Sequence, residues 1–377
     1  MLTRARVATS IMFVVHGSVT GTFAARLPWV SDHVGVAVGG LGVALLMPGV
    51  GALLAMPLSG RLVHRYDLRT LTRVLMLFWC AALVLPSLPT SLPLLCAVLV
   101  LYGATAGLAD VAMNAHAVVI EEGYGRSVMS GFHGWWSVGG LAGSSAAALA
   151  AKFGVDGRVH FAVTAVVLCL FALLGAVWLL PHRPEPGTDE PPAFALPSRA
   201  VLAIGLVGLC AVFAEAAGLD WSAVYVRNVL GGAASTAALT VAIFSVSMAV
   251  TRFAGDAVVR RLGAELTVRI SAACALAGAV TVVLADRVPL AVAGFGLIGV
   301  GIAVVVPLVF AAAGRLDGQP GRNIAGVAGI AYGSGLIAPG VLGGIAHVSS
   351  LTISFILVAV LLAAMAAAAG ALRANKP

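Results

Sequence analysis

Apolar residues run along this chain in twelve long stretches, with short polar breaks between them that hold most of the charge. The stretches fall near 7–27, 41–60, 71–88, 92–119, 129–152, 159–180, 200–226, 236–259, 267–285, 289–312, 323–347 and 350–372. Each is close to the ~20 residues that cross a bilayer as a helix. The pattern therefore predicts an all-α membrane protein of twelve transmembrane helices. The one clear break in composition is Pro181-His-Arg-Pro-Glu-Pro-Gly-Thr-Asp-Glu-Pro-Pro, which is too rich in proline and acid to be helical or to lie in lipid. It divides the chain into an N-terminal six-helix bundle (1–180), a cytoplasmic linker (181–198) and a C-terminal six-helix bundle (199–377).

The two halves read as repeats. Gly60-Arg-Leu-Val-His-Arg65 follows the second stretch and Gly255-Asp-Ala-Val-Val-Arg260 follows the eighth, 195 positions later. Gly131, Gly134, Gly140 and Leu141 recur at the same offset as Gly326, Gly329, Gly335 and Leu336. Small-x3-small spacings (Gly17/Gly21, Gly139/Gly143, Gly329/Gly333, Gly340/Gly344) mark stretches one, five and eleven as faces where helices approach closely.

Composition supports lipid as the solvent: 60% of residues are hydrophobic and 10% charged, against roughly 25% charged in soluble domains. The charge also orients the chain. With the N-terminus inside, 17 of the 22 Lys and Arg fall on inside segments, Arg252 among them, and only Arg26, Lys152, Arg158, Arg227 and Arg287 on outside ones. The positive-inside rule then places both termini in the cytoplasm. The net charge of +7 is thus a record of topology, not a nucleic-acid footprint. The five cysteines sit inside apolar stretches without CxxC spacing and give no metal or disulfide framework. The excess of Arg over Lys, with abundant Ala, Val and Gly, hints at a high-GC bacterial genome, and the expected location of such a multi-pass chain is then a bacterial inner (plasma) membrane.

At this point the chain resembles the major facilitator superfamily over its whole length. Leu108-Ala-Asp-Val-Ala-Met-Asn-Ala-His116, Gly131-Phe-His-Gly-Trp-Trp-Ser-Val-Gly-Gly140 and Leu219-Asp-Trp-Ser-Ala-Val-Tyr225 are similar to the MosC/YbjJ-like permeases, a group linked to the inositol-derived amine rhizopine. A more distant similarity is to proton-coupled fucose permeases, in which a fourth-span acid precedes an Asn by four residues, as Asp110 precedes Asn114. The first-span acid of those permeases is replaced here by Ala24. The superfamily's loop motif keeps Gly60, Leu62 and Arg65 but has His64 for its acid and Asp67 for its second glycine. The resemblance implies a monomeric secondary transporter that binds a small molecule near the membrane midplane and works by alternating access.

Ionisable groups inside spans disfavour insertion by at least ~2.5 kcal/mol and are functional candidates by default. Asp110, Glu215 and His133 are the candidates for proton coupling. His16, Asn114, Trp136, Glu215 and Tyr332 are the candidates for substrate contact, since rings stack on sugar and cyclitol faces while amides and acids take hydroxyls. Asp110 and Asn114, one turn apart, read equally as a structural hydrogen-bonded pair. Glu215 and Asp220 are about 140° apart on their helix and cannot line one face. Arg26 and Asp220, at compatible depths, suggest an outer gate, and Gly60, Arg65, Gly255 and Arg260 an inner one. Trp221 and Tyr225 suit either the cavity or an outer aromatic belt.

Gly333-Ser-Gly-Leu-Ile-Ala338 spells a dinucleotide fingerprint but lies within a span with no preceding strand. There is no Walker loop, triad or metal cluster in the sequence, so neither a cofactor nor an enzymatic activity is expected. The favoured reading is proton symport of a sugar- or cyclitol-like metabolite. Proton-driven efflux of a metabolite or drug and a non-transporting membrane sensor are the alternatives.

Overall fold

A computed structural model describes residues 1–36, 38–183, 197–232, 234–317 and 320–373. Among them every regular element is helical. The first elements are α1 (Leu2–Ala25), α2 (Leu27–Val34), α3 (Val38–Arg65), α4 (Leu68–Ala82), α5 (Leu92–Tyr124), α6 (Met129–Lys152) and α7 (Gly157–Ala176). Then follow α8 (Arg199–Asn228), α9 (Ala234–Leu284), α10 (Val288–Ile302), α11 (Val305–Gly314), α12 (Pro320–Val348) and α13 (Leu351–Ala368). The expected linker lies mostly outside the described residues.

Polar residues start several of these helices by capping free backbone N–H groups. Asp67 accepts from the Thr70 N–H at 3.0 Å, Asp156 from that of Arg158 at 2.8 Å and Ser198 from that of Val201 at 3.2 Å. Asp67 also accepts from the His182 N–H at 3.1 Å, tying the chain beyond α7 back to the start of α4.

Ten helical segments are long and apolar enough to cross a membrane. One of them belongs to α9, whose 51 residues are interrupted at Gly263 by a non-helical backbone (φ 76°, ψ 166°). At about 1.5 Å per residue an unbroken helix of that length would be more than twice the thickness of a hydrocarbon core, so its two arms are separate helices. The 24-residue α6 is not among the ten. Many large apolar side chains are exposed, among them Leu54, Phe78, Phe171 and Leu174, as suits contact with lipid tails and not water.

Two departures from the sequence pattern affect the site. The eight-residue α2 was not expected; Pro28 in its first turn and a left-handed Gly35 after its end bound it. Arg252, counted above with the cytoplasmic charges, lies within α9 and is 4% exposed. It is a buried cation, so 16 and not 17 basic residues remain on the segments expected inside. A tally of charges along a sequence cannot separate a loop arginine from one held inside a span by a partner on another helix.

The chain forms two compact units. The first holds residues 1–128, 132–196 and 317–325. The second holds 129–131, 197–316 and 326–377. In the first unit α1 crosses α6 with no side chain between the backbones. A Cβ on Gly17 would strike the Trp136 carbonyl, one on Gly21 the Gly140 carbonyl and one on Gly139 the Val14 carbonyl. In the second unit α8 meets α12, where the Ser334 hydroxyl donates to the Leu209 carbonyl at 2.9 Å. Ser334 follows Gly139, and Leu209 follows Val14, by the same 195 positions. The repeat seen in helices two, five, eight and eleven therefore extends to the first and seventh spans, which the sequence alone did not reveal.

Candidate functional site

In the first unit the candidates form two layers along α6, one turn apart. The first layer joins α5 and α6. Asn114 is fully buried, and its amide N–H donates to the backbone carbonyl of Asp110 at 2.9 Å. That bond fixes the amide and turns its oxygen to His133, whose Nε2 lies 3.3 Å away and must donate. Asp110 is 8% exposed and His133 7%. The Asn114 side chain thus binds the backbone of Asp110 and not its carboxyl. Phe13 of α1 packs its ring edge-on to His133 at 5.2 Å and stacks on Phe132 at 5.4 Å.

The second layer is aromatic. The indole N–H of Trp136 donates to His16 Nδ1 at 3.0 Å. An indole nitrogen only donates, so His16 Nδ1 accepts and the ring is held neutral, with its proton on Nε2. The structure thus favours His16 as a fixed polar surface over a proton relay. Trp79 of α4, which sequence reasoning passed over, lies 5.2 Å from the His16 ring and donates to the His16 carbonyl at 3.4 Å. Its ring meets Tyr102 at 4.5 Å, and Tyr102 meets Phe23 at 4.8 Å. The column is built from residues far apart in sequence, and no local spacing signals it. His116, part of the motif quoted above, is committed to packing: one ring nitrogen meets Thr9 Oγ1 at 3.0 Å and the other the Leu180 carbonyl at 3.2 Å.

In the second unit Glu215 of α8 receives a hydrogen bond from the Arg252 guanidinium of α9 at 3.3 Å. The Arg252 side chain is 5% exposed and that of Glu215 20%. Arg252 Nε also donates to the Ala303 carbonyl at 3.2 Å. No charged side chain occurs on α10, α11 or α13, so those helices offer Arg252 no alternative carboxylate. Tyr332 sits on α12 with its ring 6.1 Å from Phe310. Asp220 is exposed near the end of α8. Tyr225 is 1% exposed and donates to the Val282 carbonyl at 2.9 Å, with Phe295 and Phe355 edge-on. It is a core residue and not part of an aromatic belt. Arg26 belongs to the first unit, where it donates to the Val155 carbonyl at 3.0 Å.

The residues expected at an inner gate lie where backbones come close. Gly60 faces the Arg322 Cα, and Gly255 faces Ser130 and Val304; Arg65 and Arg260 are exposed. Sequence reasoning missed the residue between Gly255 and Arg260 that makes the contacts. Asp256, 6% exposed, accepts the backbone N–H of Ser130 at 3.0 Å and that of Gly131 at 2.9 Å. These are N–H groups of the first turn of α6, which have no partner inside that helix, and the carboxylate also complements the helix dipole. The Ser130 hydroxyl donates to the Arg252 carbonyl at 2.7 Å, one turn earlier on α9. At the matching position 195 residues earlier stands Arg61, so only the second repeat offers a carboxylate there. Replacing Asp256 with Ala is expected to lower stability by about 1–2 kcal/mol. Amide hydrogen exchange at Ser130 and Gly131 checks this, because protection there should fall well before it falls elsewhere on α6.

The sequence matches the family model of the Major Facilitator Superfamily over residues 9–339. It is 37% identical to an uncharacterized transporter of Sinorhizobium fredii, with 96% of each chain covered. It is 30% identical to the membrane protein MosC of Rhizobium meliloti, over 90% of this chain and 83% of that one. Its fold is similar to that of the fucose:proton symporter FucP of E. coli, with a TM-score of 0.76 at 15% identity and 98% of each chain covered. It is also similar to a human organic anion transporter, with a TM-score of 0.75 at 14% identity, covering 98% of this chain and 99% of that one.

Proposed function

The chain belongs to the Major Facilitator Superfamily and is a multi-pass membrane transporter, not an enzyme; from that premise we propose that it moves a small polar metabolite, sugar- or cyclitol-like, by proton symport. The observation that carries this reading is the buried Asp110, Asn114 and His133 cluster. Asn114 bridges the backbone of Asp110 and the His133 imidazole on neighbouring helices, and a buried carboxyl and imidazole in one cluster can take up and release a proton. The neutral His16–Trp136 pair, with Trp79 beside it, supplies a flat apolar and polar surface of the kind that binds sugar rings. The second unit contributes Glu215 and Tyr332. Similarity in fold to a fucose:proton symporter and a proton:xylose symporter agrees with this assignment.

The same reading has twelve crossings, both termini in the cytoplasm, a bacterial inner membrane and a monomer. Ten apolar segments, the separation of the two arms of α9 at Gly263 and the 24-residue α6 support the count. Bacterial relatives support the location. Arg26 with Asp220 on the outer side, and Gly60, Arg65, Gly255 and Arg260 with Asp256 on the inner side, are the proposed gates of the alternating-access cycle.

Proteoliposomes loaded with a pH dye and offered sugars, cyclitols, amines and nucleobases test the proposal. A substrate-dependent acidification that Asp110→Asn abolishes, while substrate binding persists, is the expected result. Accumulation by Asp110→Asn at the wild-type level would remove Asp110 from the mechanism. Silence of the folded wild-type protein across the whole panel would transfer the assignment to efflux.

A further inference from the structure

Buried polar atoms almost always find a hydrogen-bond partner. Eight buried side-chain atoms lack one among the described residues, and four of them belong to three residues of the first unit: Thr22 Oγ1, Arg26 Nε and both ring nitrogens of His160. Thr22 is fully buried, Arg26 is 4% exposed and His160 7%. Thr22 and Arg26 stand one turn apart at the end of α1, and His160 is in the first turn of α7.

Arg26 and His160 are drawn together by the backbone, whereas the Thr22 hydroxyl faces Gly143 of α6. Arg26 Nη2 reaches the Val155 carbonyl at 3.0 Å, next to Asp156, whose own carbonyl accepts the His160 N–H at 3.0 Å. The Arg26 guanidinium acts electrostatically on the His160 ring. The short helix α2 covers the same turn of α7. The Trp29 ring lies against Gly157 and edge-on to Phe161 at 6.1 Å, and stacks on His33 at 4.7 Å. His33 in turn meets Arg158 at 3.2 Å.

Arg26 has no carboxylate within ion-pair distance among the described residues. The neighbouring acid, Asp156, uses one carboxylate oxygen to cap α7 through the Arg158 N–H. Asp156 acts on Arg26 only from beyond ion-pair distance, and a buried guanidinium with no carboxylate in contact is strongly unfavourable. The unused groups at this place are a guanidinium N–H and an imidazole N–H, both able to donate. Their complement is an acceptor-rich anion, because charge-assisted bonds from Arg to carboxylate or phosphate oxygens are among the strongest available to a protein.

We propose that Arg26 and His160 form a binding site for a small oxyanion, a carboxylate or a phosphate, beneath α2. The site is separate from the Asp110–Asn114–His133 cluster and does not depend on the proton-symport reading. The bound anion fixes α2 over α7 by neutralising Arg26.

The test is thermal unfolding of delipidated protein in detergent, titrated with sodium acetate and with inorganic phosphate against sodium chloride of equal ionic strength. A saturable rise in Tm is expected in the wild type. In Arg26→Gln and in His160→Leu the apparent affinity should fall by about tenfold or more, the loss of one charge-assisted contact. Arg26→Lys should retain part of the response, which controls for folding of the Gln variant. If the oxyanion is a lipid headgroup, native mass spectrometry should find a phospholipid retained by the wild type and lost from both variants. A wild type with neither a saturable response nor such a lipid holds only water there, which overturns the proposal.

Discussion

Arg252→Met is expected to unfold at a far lower temperature than the wild type, with a loss of about 3–5 kcal/mol, the usual consequence of leaving one member of a buried ion pair alone. The partner left behind is Glu215, with only a fifth of its side chain exposed. Arg252 also loses its bond to the Ala303 carbonyl. The hydrogen bond from Ser130 ends on the Arg252 backbone and survives the change. Glu215→Gln alone should be milder, because an amide still accepts from the guanidinium. The double variant Arg252→Met with Glu215→Gln should recover most of the stability, since an ion pair replaced by neutral groups is often tolerated. A double-mutant cycle by thermal unfolding measures the coupling. Strictly additive effects would mean that the 3.3 Å contact contributes nothing. Transport separates the two roles of Glu215. A stable double variant that transports normally would make the pair purely structural, and one that is folded but inactive would place Glu215 in the cycle.

Gly139→Val is expected to give little or no folded protein. The Cβ alone would strike the Val14 carbonyl oxygen, and its carbon would lie only 2.8 Å away. Both atoms are backbone, so neither can rotate aside, and α1 and α6 would have to separate along their whole crossing. Close backbone packing of this kind is a main source of helix association in lipid, where burial of apolar surface gives no advantage. Gly139→Ala should already be destabilised by about 1–3 kcal/mol. The neighbouring residue is the control: a Cβ on Gly140 meets nothing nearer than the Gly17 carbonyl oxygen at 3.7 Å, so Gly140→Ala should be nearly neutral. Fluorescence-detected size-exclusion chromatography after heating would compare them. Equal behaviour of the two alanine variants would refute the close crossing.

Most of the helical architecture is legible in the sequence because lipid imposes a simple rule: long apolar runs with charge at their ends. The glycine spacing at Gly17, Gly21, Gly139 and Gly143 also has a direct structural meaning, realised where α1 crosses α6. The site is less legible, because it depends on pairs distant in sequence. Asn114 and His133 are close enough along the chain for their helices to be foreseen as neighbours. Glu215 and Arg252 are not, and Arg252 looks like a loop charge until its partner is seen. Asp256 left a clue that went unused. It is an acid beside Gly255 in the second repeat, whereas the first repeat has Arg61 beside Gly60. The N–H groups that Asp256 binds, on Ser130 and Gly131, lie some 125 positions away, beyond the reach of any local pattern. Trp79 is hidden for the same reason, since an isolated tryptophan in an apolar run says nothing about which ring it will meet.

In the proposed twelve-span arrangement, the break at Gly263 governs the sense in which all later helices cross. Its backbone falls in a region that is essentially open to glycine alone. The two arms of α9 part at a residue that lacks a Cβ. If a bulkier residue fused them, the chain would make one crossing fewer, and the parity of every crossing after it would invert. Arg315 and Arg322 would then be directed to the opposite face of the membrane, against the charge bias that orients the rest of the chain. One achiral residue thus acts as a sign bit for the last third of the protein.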